Sequence, residues 1–233
     1  MTSAYTEGVF YRRTLPLLFV LVSVAAAQTQ VSFPTQDGGL IYADLYGKGP
    51  NGVVLAHGGP FNKESWKPQA ETLADAGFHV LALDFRGYGQ STGPGHDSPM
   101  TAPLYLDVLA AVRYLHSQGA KTVSVVGGSM GGGAAADAMV VSEPGEIDRL
   151  VELGSATWSF PAEKIKGRKL IIVARDDAND DGPRLPNIQK NYDKMPEPKR
   201  IIIVEGSAHA QFLFQTGQAD RVMREILRFL REP

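Results

Sequence analysis

The chain contains no cysteine. Disulfides, thiolate nucleophiles and cysteine-held metals are therefore excluded. It also lacks a strong charge of either sign. Its 23 Lys and Arg nearly balance 25 Asp and Glu, for a formal net charge of −2. No basic stripe is present, so nothing points to nucleic acid or an acidic membrane surface. There is no low-complexity tract, no repeat at solenoid periods and no G-x-x-x-x-G-K phosphate loop. What remains is an ordinary globular composition. With 43% hydrophobic residues in 233, the chain can bury the core of one domain.

The N-terminus reads differently from the rest. Arg12 and Arg13 precede Leu15–Ala27, an apolar stretch ending in Ala25-Ala26-Ala27. A basic region, an apolar region and a small-residue cleavage site, in that order, describe a signal peptide. The stretch is shorter than the roughly 20 residues that cross a bilayer. The expectation is a leader over residues 1–27 cut near Ala27, a domain over residues 28–233, no stable membrane span, and a secreted or periplasmic protein. The Arg pair fits a twin-arginine signal poorly.

From residue 31 onward, strand-like and helix-like segments alternate. Val31–Phe33 and Leu40–Leu45 flank Gln36-Asp-Gly-Gly39 and predict a hairpin. Strands are expected near Gly52–Ala56, His79–Phe85, Thr122–Val126, Arg149–Leu153, Lys169–Arg175 and Arg200–Glu205. Helices are expected near Trp66–Ala76, Leu104–Gln118, Gly131–Val141, Leu185–Asp193 and Asp220–Arg231. Such alternation predicts an α/β fold, a mostly parallel doubly wound sheet of about eight strands with helices on both faces. Sites in these sheets form at the carboxyl ends of the strands.

Four of those ends carry chemistry. Gly127-Gly-Ser129-Met-Gly131 matches G-x-S-x-G, a weak signal alone. Here it lies between a predicted strand and a small-residue helix, as a nucleophile elbow requires. Ser129 is the candidate nucleophile, and the Met130 N–H would face a developing oxyanion. Gly131-Gly-Gly-Ala-Ala-Ala136 also fits a dinucleotide turn. That reading fails because it follows a middle strand and lacks the acidic residue expected further on. After Ala56 comes His57-Gly-Gly-Pro60. Its Gly59 N–H is the candidate second oxyanion donor, and His57 is expected to be structural. Beyond the last strand, Gly206-Ser-Ala-His209 places His209 as general base. His79, His96 and His116 are worse placed, in a strand, an early loop and a late helical turn. The third group of a triad must orient the imidazole. Asp176, Asp177, Asp180 and Asp181 all follow the strand ending at Arg175.

With Asp84-Phe-Arg-Gly-Tyr-Gly-Gln-Ser91, these blocks resemble the α/β-hydrolase superfamily over nearly all of residues 31–233. The order Ser, Asp, His along the chain is that of these enzymes. The resemblance implies structural roles for Asp84 and Arg86. In relatives the acid is usually third after a small residue closing its strand, which selects Asp177 after Ala174. Strand alternation points Asp176 the other way, so Asp176 is the second choice. A serine at position 129 argues against the dehalogenase and epoxide hydrolase members, which the resemblance implies use Asp there. Only a short segment separates Leu153 from Lys169, so a cap is expected to be minimal or absent and the site open. Phe61, Trp158, Phe160 and Phe212, with Met130, are the expected apolar lining.

The function expected is hydrolysis of a small-molecule carboxylic ester, or thioester, through an acyl-serine intermediate, with no cofactor and no metal. Two alternatives remain. His57-Gly-Gly-Pro60 resembles prolyl-peptidase relatives, which suggests a peptidase or amidase, although those carry large extra domains. A non-catalytic hydrolase-like binding protein is the other, disfavoured by an intact Ser-Asp-His set.

Overall fold

The computed structural model describes residues 1–2, 28–98 and 100–232. Apart from Met1 and Thr2, the expected leader lies outside the described residues. Strand β1 (Thr29–Pro34) turns into β2 (Leu40–Tyr46), followed by β3 (Asn51–Ala56), α1 (Lys67–Asp75), β4 (His79–Leu83) and α2 (Tyr105–Ser117). Then come β5 (Thr122–Gly128), α3 (Met130–Val141), β6 (Arg149–Leu153), β7 (Arg168–Ala174), the two-residue strands β8 (Ala178–Asn179) and β9 (Gly182–Pro183), α4 (Leu185–Lys194), β10 (Lys199–Val204) and α5 (Ala219–Arg231).

Eight strands form one sheet in the order β1-β2-β4-β3-β5-β6-β7-β10. β1 pairs antiparallel with β2, and β2 with β4. Every other neighbour is parallel. The core falls on both faces because side chains alternate along each strand. Val54, Leu81 and Val125 pack with α2 and α3 on one face. Val53, Leu55 and Val126 pack with α1 and α5 on the other. Central β3 is buried after its first residue, as a strand covered on both sides must be. In α5, Val222, Ile226, Phe229 and Leu230 are buried. Their spacing is one helical stripe.

Helix α3 lies close to the sheet because Gly131, Gly132 and Gly133 follow Met130 in its first turn. A Cβ at Gly131 would collide with the Ala56 carbonyl, and one at Gly132 with Ser155 Oγ. The run Gly131–Ala136 is therefore close packing of a helix on a sheet. Between β6 and β7 the chain forms only loops and one 3-10 turn, Ala162–Lys164. Among the described residues, no cap domain covers this end of the sheet. Among the described residues, no helix is long and apolar enough to cross a membrane.

Candidate active site

Ser129 sits between β5 and α3 with φ 49° and ψ −115°. That left-handed backbone is strained for a non-glycine residue, at a typical cost of about 1–3 kcal/mol. The surroundings enforce it. The Ser129 N–H donates to the Leu153 carbonyl at 3.0 Å, and its own carbonyl accepts from the Gly133 N–H at 3.0 Å. A Cβ at Gly127 would strike the Gly131 backbone, so the glycines on both sides let the turn close.

His209 follows β10 and reaches the serine. Its Nε2 lies 2.8 Å from Ser129 Oγ and its Nδ1 lies 2.7 Å from Asp177 Oδ2. A carboxylate only accepts, so Nδ1 carries the proton and Nε2 is free to accept from the hydroxyl. Asp177 is fully buried. Its N–H donates to the Ala174 carbonyl at 3.3 Å, and its own carbonyl accepts from the Arg184 N–H at 2.9 Å. Asp176 is exposed, as are Asp180 and Asp181. Of the four aspartates, it is Asp177 that the fold brings to His209.

The loop after β3 supplies the other side. Gln211, buried two residues beyond His209, accepts the Gly58 N–H at 2.7 Å through Oε1 and donates to Ser65 Oγ at 2.8 Å through Nε2. The Gly58 donor is thereby occupied. Gly59 N–H and Met130 N–H have no hydrogen-bond partner among the described residues. His57 turns away from the chemistry. Its Nδ1–H donates to the Gly58 carbonyl at 2.9 Å and its Nε2 accepts from the Phe85 N–H at 3.2 Å. Burial pushes its pKa down to about 4, so it stays neutral.

Arg86 and Asp84 are structural. Arg86 is fully buried. Its guanidinium bonds Asp107 Oδ1 at 2.6 Å, Asp37 Oδ2 at 2.6 Å and the Pro94 carbonyl at 2.9 Å. Asp84 Oδ1 accepts from the Lys63 N–H at 2.8 Å. Together these bonds anchor the loop that follows β4.

A cavity of about 570 Å³ opens at Ser129, lined by Met100, Thr157, Trp158, Asn179, Asp181, Arg184, Asn187 and Ile188 among others. Here the expected lining needs correction. Trp158 does wall this cavity, but Phe61, Phe160 and Phe212 do not. Phe160 packs edge-on to Tyr105 at 5.8 Å, and Phe61 faces Phe212 at 4.8 Å. Met130 is buried with its sulfur 3.7 Å from the Tyr88 hydroxyl. Aromatic composition shows which rings are near the loops, but the loop backbone decides where each ring points. The cavity is more polar than expected.

Three residues escaped the sequence reading. Gln211 bridges two loops. Gly154, at φ 62°, lies against the His209–Asp177 pair. A Cβ there would stand 3.0 Å from His209 Nδ1 and 3.1 Å from Asp177 Oδ2. The third is Glu152, fully buried in β6 opposite Gly127. Neither of its carboxylate oxygens has a hydrogen-bond partner among the described residues. Burial, reinforced by the nearby Asp137 charge, pushes its pKa well up. Gly154 and Glu152 flank Leu153, at the carboxyl end of a parallel strand, where sites in such sheets form.

The profile of the alpha/beta hydrolase fold family matches residues 51–195, more than half of the chain. The chain belongs to this family. Among its relatives, the AB hydrolase superfamily protein YisY of Bacillus subtilis is 34% identical over 110 residues, 46% of this chain and 39% of the relative. The bifunctional esterase/perhydrolase DCH of Acinetobacter calcoaceticus is 38% identical over 105 residues, 44% and 36% of the two chains. Other matched stretches belong to epoxide hydrolases and non-heme haloperoxidases. The alignments thus span well under half of these curated relatives. Among solved structures, the Pyrococcus furiosus esterase Pf2001 superposes with a TM-score of 0.70 at 19% identity, covering 94% of this chain and 96% of that chain. At that identity the likeness concerns the fold.

Proposed function

We propose that this hydrolase cleaves carboxylic esters, or thioesters, through an acyl-serine intermediate. The observation that carries the reading is the continuous chain Ser129 Oγ, His209 Nε2, His209 Nδ1, Asp177 Oδ2, with links of 2.8 and 2.7 Å. These are the distances over which a proton can be passed in one step.

Each group has one task. Ser129 Oγ attacks the ester carbonyl while Nε2 takes its proton. Asp177 holds the tautomer and stabilises the imidazolium that forms. The carbonyl oxygen gains negative charge between the Gly59 and Met130 N–H groups, the two unoccupied donors beside the serine. Collapse of the tetrahedral species passes the proton from Nε2 to the leaving alcohol or thiol. A water molecule then repeats the sequence on the acyl-serine, with His209 as base, and releases the acid. The esterase activity in the name of the Acinetobacter relative supports this reading. A serine at the elbow favours it over an aspartate-based mechanism.

Ser129→Ala tests the reading. It removes the attacking oxygen and leaves the elbow's backbone bonds in place. Hydrolysis of p-nitrophenyl butyrate should fall about 10⁴-fold or more, with an unchanged far-UV spectrum. Near-native turnover in the clean variant would overturn the mechanism.

We also propose that residues 1–27 are an export signal and that the domain begins near Gln28. N-terminal sequencing of protein from its native host should find Gln28 or a close neighbour. An intact Met1 in the soluble cytosolic fraction would contradict export.

A further inference from the structure

Among the described residues, one cation, Arg184, lines the cavity at Ser129, and its ion-pair partner is Asp177. Arg184 opens α4, and its position is fixed by its N–H, which donates to the Asp177 carbonyl at 2.9 Å. Its Nε lies 3.3 Å from Asp177 Oδ1. That approach is an ion pair without hydrogen-bond geometry, since both atoms are buried and lack a bonded partner among the described residues. The two terminal nitrogens of the guanidinium make no hydrogen bond among the described residues, and Asp177 is the ion-pair partner of the side chain. The side chain is 32% exposed and lines the cavity that holds the nucleophile. An arginine fork presents two parallel N–H donors that match a carboxylate.

The rest of the cavity is consistent with an oxygen-rich guest. Thr157, Asn179 and Asn187 line it beside Trp158 and Ile188. Asp181 also lines it, but it is exposed at the rim and accepts from Asn179 Nδ2 at 3.2 Å. Among the described residues, Arg184 is thus the cationic side chain in the nucleophile's cavity, and its outer edge makes no hydrogen bond to them. A neutral alkyl ester would leave that edge paired only with water.

We propose that Arg184 is a specificity residue that binds a carboxylate carried by the ester substrate, so that the preferred substrates are half-esters of dicarboxylic acids or esters of carboxylate-bearing alcohols. This rests on the serine hydrolase reading and narrows its substrate class. The same guanidinium, through Nε, also positions Asp177. Its removal therefore affects every substrate somewhat and the carboxylate-bearing ones far more.

The experiment compares matched pairs. Mono-p-nitrophenyl adipate is set against p-nitrophenyl hexanoate, which places the charge on the acyl side. 4-Acetoxybenzoate is set against 4-acetoxybenzamide, which places it on the alcohol side. Rates are taken relative to spontaneous hydrolysis. In at least one pair the wild type should favour the anion by about tenfold or more in kcat/KM, as a charge-assisted hydrogen bond allows. Arg184→Gln should erase most of that preference, and Arg184→Lys should keep part of it. Absence of preference in both pairs, or equal slowing of both members by Arg184→Gln, would overturn the proposal. Should Arg184→Gln not fold, inhibition of the wild type decides. Adipate should compete at least tenfold better than adipamide, and equal inhibition counts against the proposal. Ser129-dependent turnover of the neutral esters would leave the hydrolase reading standing whatever Arg184 does. Failure of the folded wild type to cleave any of the four esters would remove both.

Discussion

His57 and His209 occupy glycine-containing loops at the same end of the same sheet, yet their environments are opposite. His57 is completely buried, and both ring nitrogens are taken by backbone groups of its own loop and the next. His209 is partly exposed, with a side-chain accessibility of 24%, and both nitrogens face side chains, one hydroxyl and one carboxylate. The first arrangement ties two loops together and holds the ring neutral. The second sets a part-exposed ring between a serine hydroxyl and a buried carboxylate. Partner identity and solvent access, more than the residue type, separate a structural histidine from a candidate base.

The largest effects should appear on the His209 side. Asp177→Asn keeps the shape of the acid but removes the charge and the acceptor that fix the tautomer. It should lower kcat by about 10⁴, whereas Asp176→Asn, at an exposed position, should cost far less. The reverse order in steady-state kinetics would break the comparison, because the polar partner of His209 would then be misassigned.

On the His57 side, the expected loss is in stability. His57→Gln leaves the buried Phe85 N–H with a poorer acceptor, which typically costs about 1–3 kcal/mol. The pH dependence sharpens this. The folded pKa of His57 lies at about 4, below the ordinary 6.5, so the unfolded chain takes up a proton that the folded chain refuses. Stability is fully present above the ordinary value and falls as pH drops toward about 4. Melting temperatures across this window should show a decline in the wild type that is smaller in His57→Gln. Equal declines would mean that His57 is not the sealed, neutral ring described.

Glu152 should give the smallest change, and of opposite sign. Its folded pKa is raised by burial, so the folded chain holds a proton that the unfolded chain releases. Its cost is absent below the ordinary carboxylate value of 4.5 and grows as pH rises above it. Glu152→Leu removes two unpartnered buried oxygens. It should raise stability by roughly 1 kcal/mol at mildly alkaline pH, with the gain shrinking in acid. A destabilised Glu152→Leu protein with a lower Tm at every pH would reveal a structural bond to this carboxyl.

Much of this was readable from the chain alone. The strands and helices follow from period and punctuation. Arg149–Leu153 was expected as a strand and is one. The elbow and the order of the three candidate groups follow from local motifs. Other features arise from convergence of distant loops. Gln211 meets Gly58 across 153 positions, and no local pattern marks it. The hairpin of β8 and β9 has two residues per strand, too short for any alternation to register. It carries Asn179, Asp181 and Gly182 into the cavity, which is why a site expected to be aromatic is largely polar. Phe160 illustrates the converse. It lies in the right loop, but its ring turns to Tyr105.

The most direct test of the hydrolase mechanism is the site of covalent capture. The wild-type protein is treated with a fluorophosphonate, residual ester hydrolysis is followed, and the modified peptide is mapped by mass spectrometry. The account predicts one adduct, on Ser129, formed in proportion to the activity lost. Complete inactivation with the label on another residue, or full ester turnover by protein modified quantitatively at Ser129, would contradict it.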